Sequence, residues 1–127
     1  MTAPSGLLAG FSDPQPFTPD VAAQAPAAAG VHVVLDRGAV IYVGSTGNLR
    51  RGLRQHLRGS RKSSVLHDQV GQLLDTREQT APATEIAEWL AGYTVSWTET
   101  DNPAGAKDAL VAATMPCFNR RIPKPRR

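Results

Sequence analysis

The stretch GVHVVLDRGAVIYVGSTGNLRRGLRQHLR, Gly30 to Arg58, decides the fold. Val31 to Asp36 and Ala39 to Gly44 are apolar runs of strand length, joined through Asp36, Arg37 and Gly38, and they read as a β-hairpin. Ser45, Thr46 and Gly47 then break the strand period. Asn48 is a good N-cap for a helix that carries Leu49, Leu53 and Leu57 on one stripe and arginines around the rest. A glycine turn that opens a basic helix is where a chain of this kind would meet a phosphate.

Working outward, Gly59 and Ser60 end that helix and Ser63 or Ser64 caps the next, with an apolar face of Val65, Leu66, Val70, Leu73 and Leu74. Residues 75–83 read as a loop. Thr84 caps a short helix through Ile86, Trp89 and Leu90, which Gly92 ends. Tyr93, Val95 and Trp97 alternate with Thr94, Ser96 and Thr98, the period of a third strand with one buried face. Asn102 and Pro103 start a last helix with Ala106, Leu110 and Ala113 on one side. The order predicts an α+β domain, a small three-stranded antiparallel sheet flanked by helices. Before it, residues 1–29 are rich in Ala and Pro and read as a partly irregular arm, with one short helix capped by Thr18 and stopped by Pro26. Phe11 and Phe17 are the side chains through which the arm would dock, an unpacked arm being the alternative. The domain is read as residues 30–121, followed by a basic tail at 122–127.

The 127 residues, 41% of them hydrophobic, suit one domain with one modest core. The net charge of +3 says less than its placement. Arg50, Arg51, Arg54, Arg58, Arg61 and Lys62 form one run, and Arg120, Arg121, Lys124, Arg126 and Arg127 another, together eleven of the fourteen cations. Such clustering suits a polyanion, and Arg50, Arg51, Arg54, Arg58, Arg61, Lys62, Arg120 and Arg121 are the candidate nucleic-acid contacts. The competing reading is a solvated face. A single cysteine, Cys117, excludes an internal disulfide and a Cys-based zinc site. With no basic segment leading into an apolar one at the start and no apolar run of bilayer length, the expectation is a cytoplasmic protein without membrane contact.

Tyr42-Val43-Gly44 ahead of the basic helix, Gly30-Val31-His32 on the preceding strand, His56 on the helix and Met115-Pro116-Cys117-Phe118-Asn119 near the end together resemble the GIY-YIG nuclease superfamily, over roughly residues 30 to 121. The resemblance implies a nucleic-acid partner, DNA in the first instance, and a site built from His32, Tyr42, His56 and Asn119. In this reading His32 stands for the tyrosine of the first motif. It also implies a catalytic arginine at position 52 and a metal-binding glutamate at position 107, where this chain has Gly52 and Lys107. No metal ligand is assigned, and magnesium is expected only if the chain cleaves. At about 100° per residue, Arg50 and Arg54 point roughly 200° away from position 52, so neither replaces the missing arginine. Asp108 is turned about 100° from position 107. Glu99 and Asp101 reach inward only if the loop before the last helix folds over the site.

Each candidate also has an ordinary structural reading. Tyr42 can be a strand aromatic, His32 and His56 core histidines, Asn119 part of a helix stop, and Lys107 a surface lysine. Three functions stay open: a nucleic-acid-binding domain on a nuclease fold with reduced or lost cleavage, an active endonuclease with a non-standard catalytic set, and a protein-interaction module.

Overall fold

A computed structural model of the chain describes residues 8–58, 61–62 and 64–119. The elements are β1 (Gln15–Pro16), α1 (Pro19–Ala22), β2 (Gly30–Asp36), β3 (Ala39–Thr46), α2 (Leu49–Arg58), α3 (Val65–Leu74), α4 (Ala83–Leu90), β4 (Thr94–Glu99), α5 (Pro103–Thr114) and a closing 3-10 turn, Cys117–Asn119. The sheet has four strands in the order β1-β4-β2-β3, one more than the alternation predicts. The extra strand is two residues long and includes Pro16, so it has no period to read. It pairs Gln15 with Val95 and Pro16 with Thr94 at the sheet edge, where proline is tolerated.

The hairpin of β2 and β3 turns through Arg37 and Gly38, both at positive φ (53° and 83°), as a two-residue turn of the I′ kind requires. Between Val34 and Leu35 the pairing jumps from Tyr42 to Val40, so Ile41 bulges out of the ladder. β2 is central, flanked by β3 and β4, and six of its seven residues are buried. Its two faces serve two cores. Val31, Val33, Leu35 and Val43 pack toward Leu110 of α5. Val34, Tyr42 and Val95 pack toward Phe17, Leu49, Leu53, Leu66, Ile86 and Leu90. Leu49, Leu53 and Leu57 are all buried, so the leucine stripe is the inner face of α2 and the arginines are the outer one.

Several local expectations are met and others change. Thr18 caps α1 with Pro19 at the first turn, Ser64 caps α3, and Asn102 caps α5. Residues 8–29 pack on the domain, with Phe17, Ala22 and Ala25 fully buried and Phe11 against the α5 core. α4 starts at Ala83 behind Pro82 and has no side-chain cap, because Thr84 already lies inside the helix. Val65 and Leu73 of α3 and Trp89 of α4 are exposed, so only Leu66 and Val70 of the predicted α3 face are fully buried.

After α5 the chain turns through Met115 in the left-handed region, places Phe118 in the core that holds Val34, Tyr42 and Val95, and brings Asn119 to the open edge of β3. There the amide copies a strand: Oδ1 accepts from Val43 N–H at 2.7 Å and Nδ2 donates to Val43 C=O at 2.8 Å. Asn119→Ala leaves both backbone groups of Val43 unmet and should cost about 1–3 kcal/mol in a urea titration. A loss below about 0.5 kcal/mol, the ordinary range of surface substitutions, would show that the bond pair is dispensable.

Candidate functional site

β2 points His32 toward α2, and the residue opposite it in register is Gly44. A Cβ on Gly44 would lie 2.5 Å from Cε1 of His32, so the glycine of the second motif is what lets the imidazole lie across β3. Gly30 does the same one step away, where a Cβ would overlap Thr98 O and the Leu49 side chain. That close approach seats the start of α2 on the sheet. Seven residues on from Leu49, the inner face of α2 presents His56, with its Nε2 3.0 Å from Nε2 of His32.

The far side of His56 is equally occupied. Its Nδ1 lies 2.5 Å from Ser64 Oγ, which also accepts from His67 N–H at 3.0 Å. His67 Nδ1 in turn donates to His56 C=O at 2.7 Å. All three histidines of the chain therefore sit in one buried chain of hydrogen bonds between β2, α2 and α3. Tyr42 meets His56 edge-on at 5.3 Å between ring centroids and lies 6.0 Å from His32. One proton is shared between the two Nε2 atoms. Whichever ring donates it, Nδ1 of His32 is buried without a partner among the described residues.

Burial dominates the electrostatics. It holds His56 down at about 4, with repulsion from His67 second. It holds His32 well below the usual imidazole range, helped by His56 and by the ammonium of Lys107. It pushes the Tyr42 phenol upward. At neutral pH the centre is thus uncharged: two neutral imidazoles and a phenol. Beside them opens a cleft of about 200 Å³, lined among others by His32, Tyr42, Thr46, Gly52, Gln55 and His56.

The structure brings His32, Tyr42 and His56 together and places Asn119 elsewhere, as the clasp on β3. Gly52 lines the cleft, where a Cβ would lie 3.1 Å from Thr46 Oγ1, a close helix-to-strand approach. Lys107, half-buried on α5, is near enough to act on His32. Arg50, Arg51, Arg54 and Arg58 are exposed on α2, and none pairs with a carboxylate among the described residues. Arg61 is different: its Nε contacts Asp68 at 2.8 Å and its Nη1 contacts Asp75 at 2.9 Å. It lies across Gly71, where any Cβ would meet its guanidinium at 2.8 Å, so it is pinned along α3 from Asp68 to the C-cap Asp75 rather than standing free. Lys62 is exposed, and Arg120 and Arg121 lie outside the described residues.

Magnesium, which the resemblance implies, prefers hard oxygen ligands, one or two of them carboxylates. Among the described residues no carboxylate lines the cleft. Glu99 faces a different recess, and Asp101 is exposed. An imidazole pair with a lysine ammonium nearby does not fit that ion.

Ser64 and His67 were not legible as site residues. Ser64 reads as a helix cap, which it is, and nothing in a cap signals that its oxygen also meets a histidine eight residues back.

No protein-family model matches the chain, and no curated relative does. Among solved structures it is similar to the GIY-YIG N-terminal endonuclease domain of UvrC from Thermotoga maritima bound to its catalytic divalent cation, magnesium. That likeness has 20% identity and a TM-score of 0.51, over 80% of this chain and 93% of that one. Two point mutants of the same domain, one asparagine-to-alanine and one tyrosine-to-phenylalanine, match at 17% and 19% identity, each with a TM-score of 0.50 and the same coverage. With a hairpin whose glycines admit a histidine and a basic helix, an antiparallel sheet covered by helices and an asparagine clasp at its edge, this chain has the GIY-YIG endonuclease-domain fold.

Proposed function

We propose that the domain binds nucleic acid through the outer face of α2 and has reduced or lost phosphodiester cleavage. One observation carries the reading, the distribution of charge about α2. Its outer face shows four exposed arginines, whereas the cleft under its inner face holds neutral rings and no carboxylate among the described residues. Arginines on an exposed helix contact phosphate oxygens with little regard to sequence. Hydrolysis needs an activated water and charge stabilisation at phosphorus. His56, held at about 4 and bonded on both ring nitrogens, is a poor general base at neutral pH.

The neighbouring His32–Tyr42 pair favours a second reading, an active endonuclease that works with a non-standard set. A plasmid-nicking assay with and without magnesium separates the two: the binding reading expects little or no nicking in either condition. For binding itself, the triple variant Arg50→Ala, Arg54→Ala, Arg58→Ala should lose affinity for duplex and single-stranded DNA alike. On duplex DNA the slope of log K against log salt should become shallower by up to about 0.9 for each phosphate that the variant no longer neutralises. A folded triple variant that binds as tightly as the parent at low salt would overturn the reading.

A further inference from the structure

A second recess opens at β4, built by the N-terminal segment. Ser12 N–H donates to Trp97 C=O at 2.8 Å, and Trp97 N–H donates to Ser12 Oγ at 3.0 Å. Ser96 Oγ donates to Ser12 C=O as well. These bonds hold the chain against β4 beyond the end of β1. With the residues that follow α1, it borders an open, shallow recess of about 490 Å³ whose walls include Phe11, Gln24, Pro26, Trp97 and Glu99. That is room for one planar heterocycle with space at its edge.

The recess and the cleft are connected through the sheet. Trp97 stands opposite His32 in register, and His32 stands opposite Gly44, so the three lie on one cross-strand row and one face. Two strand spacings separate the ends of that row, about 10 Å. A cation stands at the rim. Arg50 N–H donates to Pro26 C=O at 3.2 Å and its Nε donates to Ala25 C=O at 2.9 Å. Those bonds pin the side chain beside the recess, and its terminal nitrogens make no hydrogen bond among the described residues.

An arginine fixed against Pro26 and a half-buried tryptophan that lines the same recess as Pro26 make the pairing that single strands use, phosphate on the cation and base on the ring. The polar groups at the edge narrow the choice. Glu99 can only accept, so it suits the exocyclic amino group of cytosine, adenine or guanine better than thymine, whose single ring N–H lies between two carbonyl oxygens that repel a carboxylate. We infer that the recess between Trp97 and Glu99 receives one unpaired, amino-bearing nucleobase whose phosphate rests on Arg50, which makes the domain a reader of single-stranded or locally unpaired nucleic acid. This rests on the nucleic-acid reading above. A base within an intact duplex reaches the recess only after extrusion, at the cost of unstacking.

The test is fluorescence anisotropy with four labelled probes at one salt concentration: oligo-dC, oligo-dT, oligo-dC with abasic sites, and a duplex of equal length. The full chain should bind oligo-dC more tightly than oligo-dT and than the abasic oligomer. Trp97→Leu should lower oligo-dC affinity roughly tenfold while leaving duplex affinity unchanged, and Trp97→Phe should keep most of the binding. Glu99→Gln should erase the preference for dC over dT. Trp89→Phe leaves Trp97 as the sole tryptophan, and oligo-dC should quench its emission. If the parent binds the abasic and intact oligomers equally, or if folded Trp97→Leu binds oligo-dC as the parent does, the recess is not a base site, while the arginine reading stands. If no probe binds, both fail. Should Trp97→Leu not fold, the abasic comparison on the parent decides alone.

Discussion

Acidification from pH 7 to about pH 4 is expected to remove roughly 3 kcal/mol of stability through His56 alone, at 1.36 kcal/mol per unit of pKa difference. The sign follows from proton binding. An unfolded histidine titrates near 6.5, whereas the folded His56 does so at about 4, so between those values the unfolded chain holds the extra proton. Stability from this group is full above about 6.5 and is lost as the pH falls toward 4. His32, also depressed by burial, by His56 and by Lys107, deepens the loss in the same direction. The carboxyl of Asp75, held below its usual range of 3.8 by hydrogen bonds from Arg61 and Ala81 N–H, acts in a lower window and does not blur the result. Urea titrations at pH 7.5, 6, 5 and 4.5 measure the slope, and His56→Gln should flatten it by about one proton. A free energy that stays level between pH 7 and pH 5 would mean that the histidines are not buried as neutral rings.

Restoring both charges that the family resemblance implies should have the larger effect on activity. Arginine in Gly52→Arg projects from the cleft-lining face of α2, and glutamate in Lys107→Glu removes an ammonium from the neighbourhood of His32. Each change alone leaves half the constellation missing, and groups that act as a unit are strongly non-additive, so the single variants should gain little. The double variant should nick plasmid DNA in a magnesium-dependent way, roughly 10²-fold or more above the parent. The structure adds one condition. Any side chain at position 52 meets Thr46, whose Oγ1 accepts from Asn48 N–H and donates to Asn48 C=O, both at 3.1 Å. Thr46→Ser keeps that hydroxyl and removes the methyl, so adding it should raise the activity of the double variant. Robust magnesium-dependent nicking by the parent, or a folded double variant no more active than the parent, would contradict the reading of the cleft.

The hairpin, the leucine stripe of α2 and the caps at Thr18, Ser64 and Asn102 were legible in the sequence because each is local. Alternation, a 3.6-residue period and an acceptor side chain before a helix act over a few neighbouring residues. The arginine face of α2 followed from the same period, since burying three leucines on one side leaves the arginines on the other. The setting of Gly44 and Gly52 lay beyond that reach. Gly44 is needed because His32 crosses it, and Gly52 lies close against Thr46, and both contacts join residues that only strand pairing and helix docking bring together. The hydrogen bonds linking His32, His56, Ser64 and His67, and the depressed affinity of His32 and His56 for protons, likewise exist only once α2 and α3 close over β2. Arg61 is the plainest case: one cation among six in the sequence, it is set apart from Arg50, Arg54 and Arg58 by two aspartates seven and fourteen residues away that the fold brings back upon it. Local periodicity determines which residues face inward; which inward residues meet, and therefore which of them carry charge, bind or merely hold, is decided by tertiary packing.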